Sequence, residues 1–212
     1  MPTRFLGKSP SPNIKHLGVR LDKHLNWKSH ISETAKKLQR ANGALSKLRH
    51  YIPLKSLVNI YHALFSSHMR YACQIWGLRE NTTCHHILTL RKSALRLMTV
   101  NAPRSPFNSI FSNLGILKVF DLVEVLNILF VHQYFNRGLP NNLIDTLSFS
   151  KICHSFNTRG SLQLPSVKTL SYGLNSFSCL SIQQWNRIQQ NFPNTNMSEI
   201  SHSSLKSLIC KL

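Results

Sequence analysis

Between residues 27 and 52 the apolar side chains Ile31, Ala35, Leu38, Leu45, Leu48 and Ile52 recur at threes, fours and sevens. Only an α-helix gathers that spacing on one side, because successive side chains advance by about 100°. Lys36, Lys37, Arg40 and Lys47 then fall on roughly the opposite side. The predicted helix therefore has one face to bury and one basic face left to solvent or to a partner. Pro53 stops it, since proline cannot donate the helical hydrogen bond and its ring crowds the preceding turn. An amphipathic helix is buried only against other elements, so the chain must build a bundle around it.

The rest of the pattern supplies those elements. A second helix is predicted over 54–76, with Leu57, Ile60, Tyr61, Leu64, Phe65, His68 and Ala72 along one stripe and Gly77 at its end. A third spans 83–100, with Ile87, Leu90, Ala94, Leu97 and Met98 on one face, and Pro103 and Pro106 close it off. A helical turn at 107–114 and an apolar helix at 119–136, ended by Gly138 and Pro140, follow. Residues 150–180 are Ser- and Asn-rich and read as loops with small strands, before helices near 180–190 and 198–212. Ahead of all of these, Ile14 to Leu21 alternates apolar and basic residues, the signature of a short hairpin with Gly18 at its tight point. The expected fold is mainly α: a basic helical bundle preceded by a short β-hairpin, with a looser mixed C-terminal region.

Charge decides which partners to consider. The 212 residues carry 26 Lys and Arg against 7 Asp and Glu, a net +19. Residues 1–104 hold 18 of the cations and 3 of the acids, so the first half alone is +15. Such an excess repels itself unless an anion offsets it; nucleic acid is the first partner class implied and an acidic membrane surface the second. The apolar stretch 119–135 contains Asp121 and Glu124, and its charge-free part is too short to span a bilayer. The five cysteines, Cys73, Cys84, Cys153, Cys179 and Cys210, form no CxxC pair and no secretory h-region precedes them. They read as reduced, mostly buried thiols of an intracellular protein, nuclear or cytoplasmic.

Catalytic constellations are not legible. Two-metal chemistry needs several carboxylates converging on one point. The seven acids (Asp22, Glu33, Glu80, Asp121, Glu124, Asp145 and Glu199) include no Asp-Asp pair, and Asp121 and Glu124 read as surface charge on the apolar helix. Cys84-His85-His86 with Cys73 is the densest set of metal ligands, but it lacks zinc-site spacing, and adjacent histidines on a helix diverge by about 100°. The glycines are too dispersed for a phosphate loop. No cofactor, metal or catalytic residue is expected. Trp27 and Trp185 read as packed core aromatics.

A family pattern runs through the chain in order. Lys15, Leu17-Gly18-Val19, Leu21-Asp22, then Leu25, Trp27 and His30-Ile31, resemble the end of the palm in non-LTR (LINE-type) retrotransposon reverse transcriptases. Lys37-Leu38, the run from Leu45 to Arg49, Ile60-Tyr61, Tyr71 to Gly77 and Leu90 to Arg96 are similar to the elements that follow there. Arg159-Gly160-Ser161, Tyr172-Gly173, Ser176-Phe177 and Trp185-Asn186 look like the region beyond the thumb.

The resemblance implies four segments: 1–26 as the palm end with a primer-grip-like hairpin, 27–104 as a basic thumb-like bundle, 105–139 as an apolar connector, and 140–212 as the post-thumb region. It implies nucleic-acid contact through Lys15, His16, Gly18 and Arg20 on the hairpin and through Lys36, Lys37, Arg40 and Lys47 on the first helix. The partner would be an RNA/DNA duplex held without sequence preference. The family's paired catalytic aspartates lie upstream of the Leu-Gly-Val segment, and thirteen residues precede Ile14, so the chain is expected to hold primer and template without polymerising by itself. Two other readings stay open on charge and pattern alone: a basic structural protein of a ribonucleoprotein, and a helical protein-interaction module.

Overall fold

The computed structural model of the chain describes residues 13–77, 82–99, 110–111, 114–146, 162–169, 173–192 and 200–209, and the fold is mainly α. Strands β1 (Asn13–His16) and β2 (Val19–Asp22) form an antiparallel hairpin. The helices that follow are α1 (Lys28–Leu48), α2 (Leu54–Ile60), α3 (Ser67–Arg70) and α4 (Cys73–Trp76). After them come α5 (Thr82–Thr99), α6 (Val119–Phe135), α7 (Asn141–Thr146), α8 (Phe177–Asn191) and α9 (His202–Ile209). The chain divides into two compact units, the first formed by residues up to Ala72 with Glu80–Leu114, the second by Cys73–Arg79 with Gly115–Leu212.

In the first unit, α1 buries Ile31, Ala35, Leu38 and Leu45, as their spacing predicts, and packs along α5. From α5 come Cys84, Ile87, Ala94, Leu95 and Met98. Burying each such large apolar side chain is worth about 1.5–3 kcal/mol, which makes this contact the spine of the unit. Asn42, also on the buried side of α1, donates from Nδ2 to the carbonyl of Leu90 at 2.9 Å.

The single helix expected over 54–76 is broken in two places. Tyr61–Ser66 is π-helical, linking α2 to α3. A π turn takes more residues than an α turn, so Leu57, Tyr61, Phe65 and Met69, spaced by four, all reach the core. Leu64, placed on the stripe by its α-helical spacing, is instead 41% exposed, and His68 is also turned outward. The second break is at Ala72, whose φ of 52° ends α3 before α4 begins.

One residue on the expected apolar face of α5 is charged. Arg91 is only 2% exposed; its Nε donates to the Tyr61 hydroxyl at 3.0 Å, and its guanidinium carbon lies 5.6 Å from the centre of the Phe111 ring. Burial raises the Tyr61 pKa despite that cation. Ile110 and Phe111 are helical and buried, and the remainder of the turn expected at 107–114 lies mostly outside the described residues.

The second unit is built on α6. Val125, Ile128, Leu129 and Val131 pack with Ile182, Trp185 and Ile188 of α8, Leu205 of α9, and Leu162. Asn127, in the middle of this apolar helix, is fully buried and donates to Gln184 Oε1 at 2.9 Å. Gln74 of α4 donates to the carbonyl of Leu126 at 3.1 Å. Gly77 sits so tightly that a Cβ would lie 2.6 Å from the carbonyl oxygen of Cys73 and 3.1 Å from Val123. Glu124 pairs with Arg187 of α8, while Asp121 is exposed. Among the described residues no helix is long and apolar enough to cross a membrane.

Candidate nucleic-acid interface

The hairpin closes through Leu17 and Gly18, whose φ angles are 46° and 83°. Two consecutive left-handed residues make the primed turn that matches the twist of paired strands, and a glycine meets that demand without strain. Lys15 therefore lies opposite Arg20, and His16 opposite Val19. Tyr71 fixes the turn from outside: its hydroxyl donates to the carbonyl of Leu17, and its ring lies 3.7 Å from where a Cβ on Gly18 would be. The segment from Tyr71 to Gly77 thus begins with a brace for the hairpin. Nothing in its local sequence signals that partner, 54 residues earlier.

β2 lies against the start of α1. The Arg20 backbone N–H donates to Nδ1 of His30 at 3.4 Å, and its guanidinium pairs with the Glu33 carboxylate. That hydrogen bond, ahead of the charges of Arg20, Lys37 and Lys15, holds the Glu33 pKa below its ordinary value. Burial holds His30 below its ordinary value, outweighing the attraction of Glu33. Arg20, Ser29, Ser32, Glu33 and Lys36 line an open cleft. Lys15 and Arg20 of the hairpin and Lys36 and Lys37 of α1 are consequently gathered around one carboxylate, which none of their separate sequence positions shows.

Further along α1, Lys36, Lys37, Arg40 and Lys47 are all exposed. Lys36, Arg40 and Lys47 share a stripe within about 40° of one another, since each residue advances about 100°. The stripe spans about 16 Å at the helical rise of 1.5 Å per residue. Among the described residues the two ion pairs, Arg20–Glu33 and Arg187–Glu124, involve none of these four. Gly43 lies between Arg40 and Lys47, exposed, with nothing within 4 Å of a Cβ placed on it. Of the other expected contact residues, Lys15, His16 and Gly18 are exposed and Arg20 is half-buried through its pairing with Glu33.

Residues 34–79 contain eight Lys or Arg and no acid. A row of cations on a rigid helix suits a phosphate backbone: it displaces counterions without touching base edges. Cys73 and Cys84 are buried, His85 and His86 are exposed, and among the described residues no three His, Cys, Asp or Glu side chains group to hold a metal ion. Trp27 and Trp185 are both buried, the latter with its ring 5.8 Å from that of Phe135.

Over 95 residues, 42% of its length, the chain is 33% identical to the "Probable RNA-directed DNA polymerase from transposon X-element" of Drosophila melanogaster. The chain spans about a tenth of the length of that curated relative. No family model matches the sequence. No solved structure matches it either.

Proposed function

We propose that this relative of a transposon-encoded RNA-directed DNA polymerase is the part of a non-LTR retrotransposon reverse transcriptase that grips primer and template. The observation that carries this reading is the exposed stripe Lys36–Arg40–Lys47, with Lys37 beside it, on a helix whose other face is locked into the core. Lys15, His16, Gly18 and Arg20 extend the contact across the hairpin. Because the cations meet backbone phosphate, the grip is indifferent to sequence. The dispersed acids, with Glu33 engaged by Arg20 and Glu124 by Arg187, support a chain that binds without polymerising by itself.

Fluorescence anisotropy with a labelled RNA–DNA primer–template over a salt series tests this. Affinity should fall linearly on a log–log plot, with a slope of about −0.9 per phosphate neutralised. Replacing Lys36, Lys37, Arg40 and Lys47 together by Ala should flatten that slope by several units. Binding that ignores salt, or a quadruple variant that binds as the parent does, overturns the reading.

A further inference from the structure

The basic stripe does not stop at the end of α1. Arg49 keeps helical backbone angles, and its N–H still donates to the carbonyl of Leu45 at 3.0 Å. The N–H groups of Tyr51 and Ile52 then both donate to the carbonyl of Leu48, at 3.0 and 3.2 Å. The chain therefore winds on for almost another turn, which places Tyr51 one turn beyond Lys47 on the same side as Lys36 and Arg40.

At that position Tyr51 is 85% exposed, the most open of the large apolar and aromatic side chains among the described residues. It contributes nothing to the core, although Ile52 beside it is half-buried and Pro53 turns the chain away. Its backbone is held by two donors to one carbonyl, so the ring is presented from a fixed base. Lys47, His50 and Lys55, its neighbours along the chain, are exposed as well. Nε of Arg49 donates to Nε2 of His50 at 3.1 Å. An exposed aromatic face at the end of a cationic track, in a stretch of 46 residues without an acid, has the two components of a single-strand contact: charge that follows the backbone and a ring on which a base stacks.

We infer that Tyr51 is a stacking platform for an unpaired nucleobase, at the point where the strand tracked by Lys36, Arg40 and Lys47 leaves α1. The inference rests on the proposed grip and adds to it a site for single-stranded nucleic acid adjoining the duplex.

The test compares a duplex carrying a single-stranded extension with a blunt duplex of the same length, using the full chain and its Tyr51→Ala, Tyr51→Phe and Lys36/Lys37/Arg40/Lys47→Ala variants. Circular dichroism shows each variant to be folded before titration. Tyr51→Ala should weaken binding to the extended substrate by about 5- to 150-fold, the range of one base–aromatic stack, and leave the blunt duplex within about twofold. Tyr51→Phe should bind both as the parent does, and the salt slope should be unchanged in both Tyr51 variants because no cation is removed. Equal losses on both substrates, or no loss on either, overturn the stacking site while leaving the grip intact. A parent chain that binds neither duplex in a salt-dependent way overturns the grip itself, and the stacking site with it.

Discussion

Asn186 holds both backbone groups of Leu162: its Nδ2 donates to the Leu162 carbonyl at 2.9 Å, and its Oδ1 accepts the Leu162 N–H at 2.8 Å. One side chain thus takes the place of a neighbouring strand for a residue that is 1% exposed and packed in the α6–α8 core. Asn186→Ala leaves a buried donor and a buried acceptor unmatched, so we expect a loss of about 1–3 kcal/mol in urea unfolding of the second unit. Asn186→Asp keeps the acceptor but sets a carboxylate oxygen against the Leu162 carbonyl, and should be at least as destabilising as the alanine variant. An alanine variant as stable as the parent would show that water replaces both bonds.

The hairpin turn makes a conformational prediction. A Cβ at position 18 meets only ordinary contacts, the nearest 3.7 Å away, but the φ of +83° is costly for any L-residue. Gly18→Ala should destabilise the first unit by about 1 kcal/mol, and Gly18→Asn by less, because asparagine tolerates the left-handed region better. Tyr71→Phe removes the hydroxyl that braces Leu17. It should speed amide exchange at Val19 and Leu21 while leaving exchange in α1 unchanged.

Glycines 43 and 77 should respond in opposite directions. A Cβ at Gly43 enters open space on an exposed helix face, so Gly43→Ala should stabilise the chain by about 0.5–1 kcal/mol, seen as a rise in midpoint temperature. At Gly77 the Cβ would sit 2.6 Å from the backbone oxygen of Cys73, which cannot swing aside. Gly77→Ala should cost about 1–3 kcal/mol through forced displacement of α4.

Acid should weaken the first unit in two stages. Burial lowers the pKa of His30, and burial with the Arg70 and Arg91 charges lowers that of His62, both from 6.5. The unfolded chain takes up protons at these sites first, so stability declines as the pH drops below 6.5 toward the folded values. Protonating Nδ1 of His30 also removes the acceptor for the Arg20 N–H. Glu33, lowered from 4.5 chiefly by its hydrogen bond to Arg20, contributes stability above that value and loses it as the pH falls through the folded one. Urea midpoints at pH 7.5, 6, 5 and 4 should therefore decrease in that order. A midpoint that rises on acidification contradicts both assignments.

A last expectation concerns chemistry. The purified chain, given primer–template, deoxynucleotides and magnesium, should extend no primer over a time in which a complete reverse transcriptase does so. Measurable incorporation would require a carboxylate cluster that the spacing of Asp22, Glu33, Asp121 and Glu124 does not suggest.

The amino-acid order by itself determined α1 with its buried and basic faces, the hairpin with Gly18 at its turn, and the apolar helix α6. These rest on local periodicity and turn chemistry, which a window of a few residues contains. Tertiary structure alone decided that Arg91 is buried beneath Tyr61, that Leu64 and His68 turn outward past a π segment, and that Ala72 breaks a helix whose apolar pattern runs straight through. It also decided that Tyr71 braces Leu17 and that Asn186 serves as a strand for Leu162. The physical reason is common to the hydrogen bonds: their partners are 24 to 54 residues apart, so a side chain's role is set by what folding brings to it. The candidate interface divides the same way. The cations of α1 are legible as a stripe, whereas their meeting with the hairpin at Glu33, and the continuation of the stripe to Tyr51, exist only once β2 is docked and the end of α1 is wound.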